Sequence, residues 1–140
     1  MSIIHTLAKL GSGADCVSLN EVKRALLAGI PRYKIIFSGV GKEDYEIKEA
    51  LEIGILFLNV ESEMELLRIE KISQEIAQQK AQNDFQARIS IRVNPDVDAK
   101  THPYISTGLQ ENKFGLDRDT AKRLYLYAHK SDFLNPVGIH

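Results

Sequence analysis

Residues 88–108 read RISIRVNPDVDAKTHPYISTG. The stretch opens as a strand, with Ile89, Ile91 and Val93 on one face and Ser90, Arg92 and Asn94 on the other. Behind Pro95 it runs into a polar segment carrying Asp96, Asp98, Lys100, His102, Tyr104, Ser106 and Thr107. An arginine on a strand face needs a physical reason. In a sheet covered by helices on both faces, Arg92 would be buried at a cost of several kcal/mol unless it were paired. A barrel strand turns one face to a lumen, and near the C-terminal mouth that face meets ligand and water.

The rest of the chain supplies the repeats such a fold needs. Short Ile-, Leu- and Val-rich runs at 14–18, 34–38, 55–60, 87–94 and 136–140 suit the strands of a buried parallel sheet. Helices lie between them. Ser18 with Glu21 three residues on reads as a capping box, followed by Val22, Ala25 and Leu26 on one face and Gly29 as the stop. Ser62 with Glu65 repeats the device ahead of the stripe Leu66, Ile69, Ile72 and Ile76. Lys48, Ala50 and Leu51 belong to another helix, ended by Gly54, and Ala121, Leu124 and Ala128 mark a further one. The first ten residues form a helix closed by Gly11 and Gly13, and the Gln-rich 78–82 is an exposed helix end with no separate module.

Alternating strand and helix means an α/β fold with right-handed crossovers. An open doubly wound sheet would be complete at 140 residues. A TIM barrel needs eight strands and about 250 residues, so the chain would be part of one. The polar face at Arg92 favours the barrel, as does a chain that starts on a helix and stops on a strand. The expected architecture is a partial (β/α)8 barrel, about five parallel strands with intervening helices.

Composition narrows the function. Eighteen Lys and Arg against nineteen Asp and Glu give a net charge of −1, which points away from nucleic acid and from an anionic membrane surface. No apolar run reaches the roughly 18 residues of a membrane span, and no signal peptide is legible. Cys16 is the only cysteine, which excludes an internal disulfide and fits a cytoplasmic location.

Several motifs carry less than they suggest. Gly11-Ser12-Gly13 precedes a strand, whereas phosphate-binding glycines follow one. Gly39, Gly41 and Lys42 do follow a strand but lack the remaining spacing of a Walker loop. Asp96, Asp98 and His102 have no metal-ligand spacing, so no metal site is expected. Glu61 and Glu63 read as helix-start acids favoured by the dipole.

GSGADCVS at 11–18, EVKRALLAGI, IIFSGVGK, FLNVES and RVNPDVDAKTHPYISTG, closing with ENKFG at 111–115, resemble the diaminopimelate decarboxylases along essentially the whole chain. The resemblance implies a pyridoxal-phosphate enzyme of the alanine-racemase-like fold, an N-terminal TIM barrel followed by a β domain. It also implies active sites shared across a homodimer and loss of one carboxylate from meso-diaminopimelate to give L-lysine. Residues 1–140 would be a central part of the barrel, strands two to six, without the C-terminal β domain. The family's Schiff-base lysine lies in a YAxKAN-like strand and has no match here, so the chain alone is expected to be inactive.

Few site residues carry over. Asp15 matches an aspartate close to the cofactor lysine, and Arg92 an arginine near the cofactor; both are expected to be catalytic and cofactor-binding. His140 matches the histidine two places before the one that stacks on the cofactor ring, and is expected on the inner face as a further cofactor-binding residue. His102 and Tyr104 are expected to cover the mouth and meet substrate. Two alternatives stand beside this reading: a related pyridoxal-phosphate protein of the same fold, and a non-catalytic barrel acting as a binding or regulatory module.

Overall fold

A computed structural model describes residues 2–81, 84–95 and 114–140. Five parallel strands form one sheet in the order β1-β2-β3-β4-β5, where β1 is Ala14–Cys16, β2 Ile35–Phe37, β3 Phe57–Val60, β4 Ala87–Ile91 and β5 Leu134–Ile139. Sequential order decides between the two architectures. A doubly wound sheet reverses direction at a switch point, whereas a barrel adds each strand beside the last. The sheet has no reversal, which is the barrel arrangement.

The helices are α1 (Ser2–Lys9), α2 (Leu19–Leu27), α3 (Asp44–Ile53), α4 (Glu63–Lys80) and α5 (Arg118–Lys130). Cys16, Ile35, Phe37, Leu58, Val60, Ile89 and Ile91 pack from the strands against Val22, Ile47, Leu66, Ile69 and Leu124 from the helices, forming one core cluster. Alternation then turns Asp15, Ile36, Asn59 and Ser90 to the opposite face. That face is the lumen.

Most strands are shorter than the sequence predicts, because their ends are claimed by caps. Ser18 leaves β1 to accept the Glu21 N–H at 3.3 Å, while Glu21 reaches back to the Val17 N–H at 2.7 Å. Ser62 and Glu65 repeat the geometry, with Glu65 taking the Glu61 N–H at 2.8 Å. In both, the return bond goes one residue earlier than a capping box requires. Lys34 is drawn from β2 into a 3-10 turn, Arg32–Lys34. β4 ends at Ile91 because the Arg92 carbonyl turns to accept from Leu116 N–H at 2.9 Å. β5 begins earlier than 136, at the buried Leu134, and Pro136 is accommodated on an edge strand beside an irregularity at Ile89/Ser90.

The Gly11–Gly13 turn also has a structural explanation. Lys34 Nζ donates to the Gly11 carbonyl at 2.7 Å, and a Cβ on Gly13 would stand 2.6 Å from the Lys34 carbonyl oxygen. Close backbone approach, not phosphate, asks for glycine here.

Candidate functional site

The polar residues of the lumen face gather at the C-terminal ends of the strands, in two linked groups. The deeper group begins with Asp15 on β1. Ser38, just beyond β2, donates to Asp15 Oδ1 at 2.6 Å and accepts from Asn59 Nδ2 at 2.8 Å. The direction of this chain is fixed by chemistry, since a carboxylate only accepts. Asn59 is therefore held with Oδ1 turned away from Ser38. That oxygen is buried and has no hydrogen-bond partner among the described residues. Ser90 is the register partner of Asn59 and is itself buried.

The second group lies at the mouth. Val60 and Ile91 are register partners, so the next residues, Glu61 and Arg92, stand side by side. Both Glu61 oxygens lie 3.0 Å from Arg92 Nη1, and the Gly39 N–H donates to Glu61 Oε1 at 3.1 Å. Phe114 places its ring centroid 5.8 Å from the guanidinium carbon, within cation–π range. Gly115 lies directly behind, at φ +98°, where a Cβ would approach Arg92 Cγ and its carbonyl oxygen at 3.1 Å. The Phe-Gly pair thus backs the arginine, which gives a physical role to the end of the ENKFG motif.

Lys42 sits under both groups. It is 4% exposed and its ammonium donates to the carbonyls of Gly39 and Asn59 and to Glu65 Oε1, each at 2.7 Å, with the Phe37 ring 5.6 Å away. Every donor of the ammonium is spent, so Lys42 is an anchor and no phosphate ligand.

The structure brings Asp15 and Arg92 to the same face, joined through the neighbouring Ser38 and Gly39. His140 reaches the same level: its N–H donates to Ile91 and its carbonyl accepts from Val93 N–H, flanking Arg92 on the far side. His102 and Tyr104 lie outside the described residues, as do Asp96 and Asp98. Among the described residues no three His, Cys, Asp or Glu gather to hold a metal ion, and no helix is long and apolar enough to cross a membrane.

Glu61 corrects the sequence reading. It precedes the N-cap Ser62 and is 6% exposed, so it is a buried partner of Arg92 and not a helix-start acid at the surface. Glu63 does lie in the first turn, where Arg123 on α5 pairs with it and lowers its pKa. No local signal marked Glu61: only the register of β3 against β4 sets it abreast of Arg92. Ser38 and Asn59 offered none, being ordinary residues in apolar strands. Cys16 points to the helices, and burial, with Glu21 and Asp15 adding to it, pushes its thiol up to about 11. It is not a nucleophile.

The face fits the cofactor that the resemblance implies. It combines a carboxylate, a hydroxyl, an amide with an unused buried acceptor and a guanidinium, which suits a ring bearing both charged and hydrogen-bonding groups. A lysine to bond it is not on this face among the described residues. None of the five described strands contains a lysine.

Comparison with known proteins identifies the family. Residues 1–140 match the model of the pyridoxal-dependent decarboxylases' pyridoxal-binding domain. The chain is 58% identical to the diaminopimelate decarboxylase of Campylobacter jejuni and 59% to that of Helicobacter pylori strain J99, over all 140 residues. It spans 33% of the length of each. The crystal structure of Helicobacter pylori diaminopimelate decarboxylase complexed with L-lysine superposes with a TM-score of 0.89 at 58% identity, covering 99% of this chain and 34% of that one.

Proposed function

The chain belongs to the pyridoxal-dependent decarboxylases, as their pyridoxal-binding domain, and from that premise we propose that it forms the cofactor barrel of a diaminopimelate decarboxylase. The observation that carries the substrate is the likeness, end to end, to enzymes of that name, one of them complexed with L-lysine. The full-length enzyme would release CO2 from meso-2,6-diaminopimelate and leave L-lysine, as the last step of lysine biosynthesis. It would act in the cytoplasm as a homodimer, with a C-terminal β domain completing the site.

Pyridoxal phosphate, when bound, supplies an electron sink for the pair left behind as the carboxylate departs. The residues of this chain do the rest of the local work. Asp15, braced by Ser38 and Asn59, offers a fixed negative charge to a cationic nitrogen. Arg92, braced by Glu61, offers N–H donors to an anionic oxygen at the mouth. His140 stands beside Arg92 and lines the same wall. Such preset charges act without reorganising during the reaction.

The test is direct assay of the full-length protein with pyridoxal phosphate and each of meso-diaminopimelate, ornithine and arginine. CO2 and L-lysine from the first alone are expected. Preference for ornithine or arginine would overturn the substrate assignment.

A further inference from the structure

Glu61 stands where the anchored and the ligand-facing parts of the mouth join. Its own N–H is held by Glu65 Oε2 at 2.8 Å, and the other Glu65 oxygen takes Lys42 Nζ at 2.7 Å. The same ammonium fixes the Gly39 carbonyl, while the Gly39 N–H returns to Glu61 Oε1 at 3.1 Å. A closed ring of bonds thus holds the Glu61 carboxylate from behind. In front of it lies Arg92. The Glu61 side chain is 2% exposed and the Arg92 side chain 32%. The buried member of the pair is the fixed one, so it sets where the freer one sits. Both carboxylate oxygens take Nη1, which leaves Nε and Nη2 unspent on Glu61.

Resting on the decarboxylase reading of Arg92, we propose that Glu61 is a positioning residue for the reaction, acting through Arg92, and that the buried Lys42–Glu65 pair holds Glu61 for that task. Charge balance follows the same logic. Glu61 cancels much of the guanidinium's net charge, so Arg92 at the mouth directs and hydrogen-bonds without gripping every passing anion. A carboxylate kept only to neutralise the arginine would behave differently: its removal would lower the thermal melt and leave the kcat of the folded variant unchanged.

The experiment is a double-mutant cycle in the full-length enzyme, reading kcat and KM for meso-diaminopimelate and the thermal melt of each protein. Glu61→Gln alone is expected to lower kcat/KM roughly tenfold or more, chiefly through kcat, as misplacement of a site group does. In the Arg92→Ala background the same change is expected to cost less than about twofold, since acting through one residue makes effects non-additive. Glu61→Asp keeps the charge and should recover part of the kcat that Glu61→Gln loses, which guards against a variant that merely folds poorly. Equal fold losses in both backgrounds, or undiminished kcat in folded Glu61→Gln, would overturn the proposal. If Arg92→Ala itself leaves turnover intact, it is the decarboxylase reading of Arg92 that fails, a separate outcome.

Discussion

Glu61 and Arg92 meet across the ends of β3 and β4, both carboxylate oxygens standing 3.0 Å from a single guanidinium nitrogen. The contact is made by register: Val60 pairs with Ile91, so the residues that follow them emerge abreast. It turns an otherwise costly arginine on a strand end into a paired one, and it does so at the mouth of the sheet, where a ligand enters a barrel.

Replacing Arg92 should separate chemistry from folding. Arg92→Ala in the full-length enzyme is expected to lower kcat/KM on the order of a hundredfold, the scale for losing one preset charged donor. The stability loss should be about 2 kcal/mol, from a charge-assisted bond at a partly exposed site. Steady-state kinetics with urea melts measure both. Full turnover from a folded variant would remove Arg92 from the site.

The Lys42–Glu65 pair should behave as a buried ion pair. Lys42→Met leaves the Glu65 carboxylate enclosed without its partner, and a loss of about 3–5 kcal/mol is expected. Lys42→Met with Glu65→Leu should cost less than the single change, since no lone charge is left behind. Urea denaturation of the wild type and the two variants decides it, and a double variant less stable than Lys42→Met would speak against the pairing.

Cys16 predicts a pH window. Its folded pKa is raised to about 11, first by burial and then by Glu21 and Asp15, against about 8.5 in an unfolded chain. The folded state therefore holds the thiol proton more tightly. The resulting stability is present in full below the unfolded value and is lost as pH rises through the folded one. Cys16→Ala should flatten the fall in stability between about pH 8.5 and 11, and native Cys16 should resist alkylation at pH 8. Rapid labelling of the folded protein would contradict the burial.

The 140-residue chain by itself should form no specific covalent adduct with pyridoxal phosphate. Lys9, Lys23, Lys48 and Lys71 lie on helices, and Lys42 is spent on its three acceptors. Among the described residues β1 and β5 are the open edges of the sheet, which favours edge-to-edge association. Borohydride trapping followed by peptide mapping is the check. A single lysine labelled near stoichiometrically, with L-lysine formed from diaminopimelate, would show a self-sufficient site.

How much of this was legible differs by element. The helix starts at Ser18 and Ser62 were plain, because a cap and its acid are local chemistry. The barrel was legible from the strand–helix repeats together with Arg92, since one charged side chain on a strand asks what covers it. Strand ends were not, because Arg92 leaves β4 to meet Leu116, a partner far along the chain. Nor were Ser38 and Asn59, whose roles come from register across β1, β2 and β3 and not from residue type. Glu61 was misread for the same reason: beside Ser62 it looks like a helix-start acid, and only the neighbouring strand shows it to be the base under Arg92.

If the lumen face between Asp15 and Arg92 is the cofactor site, a crystal structure of the full-length protein with pyridoxal phosphate will show it there. The cofactor is expected on that face, with the Asp15 and Arg92 side chains both turned to it and the Glu61 contact kept. A cofactor on the helix side of the sheet, or one that neither Asp15 nor Arg92 faces, would contradict it.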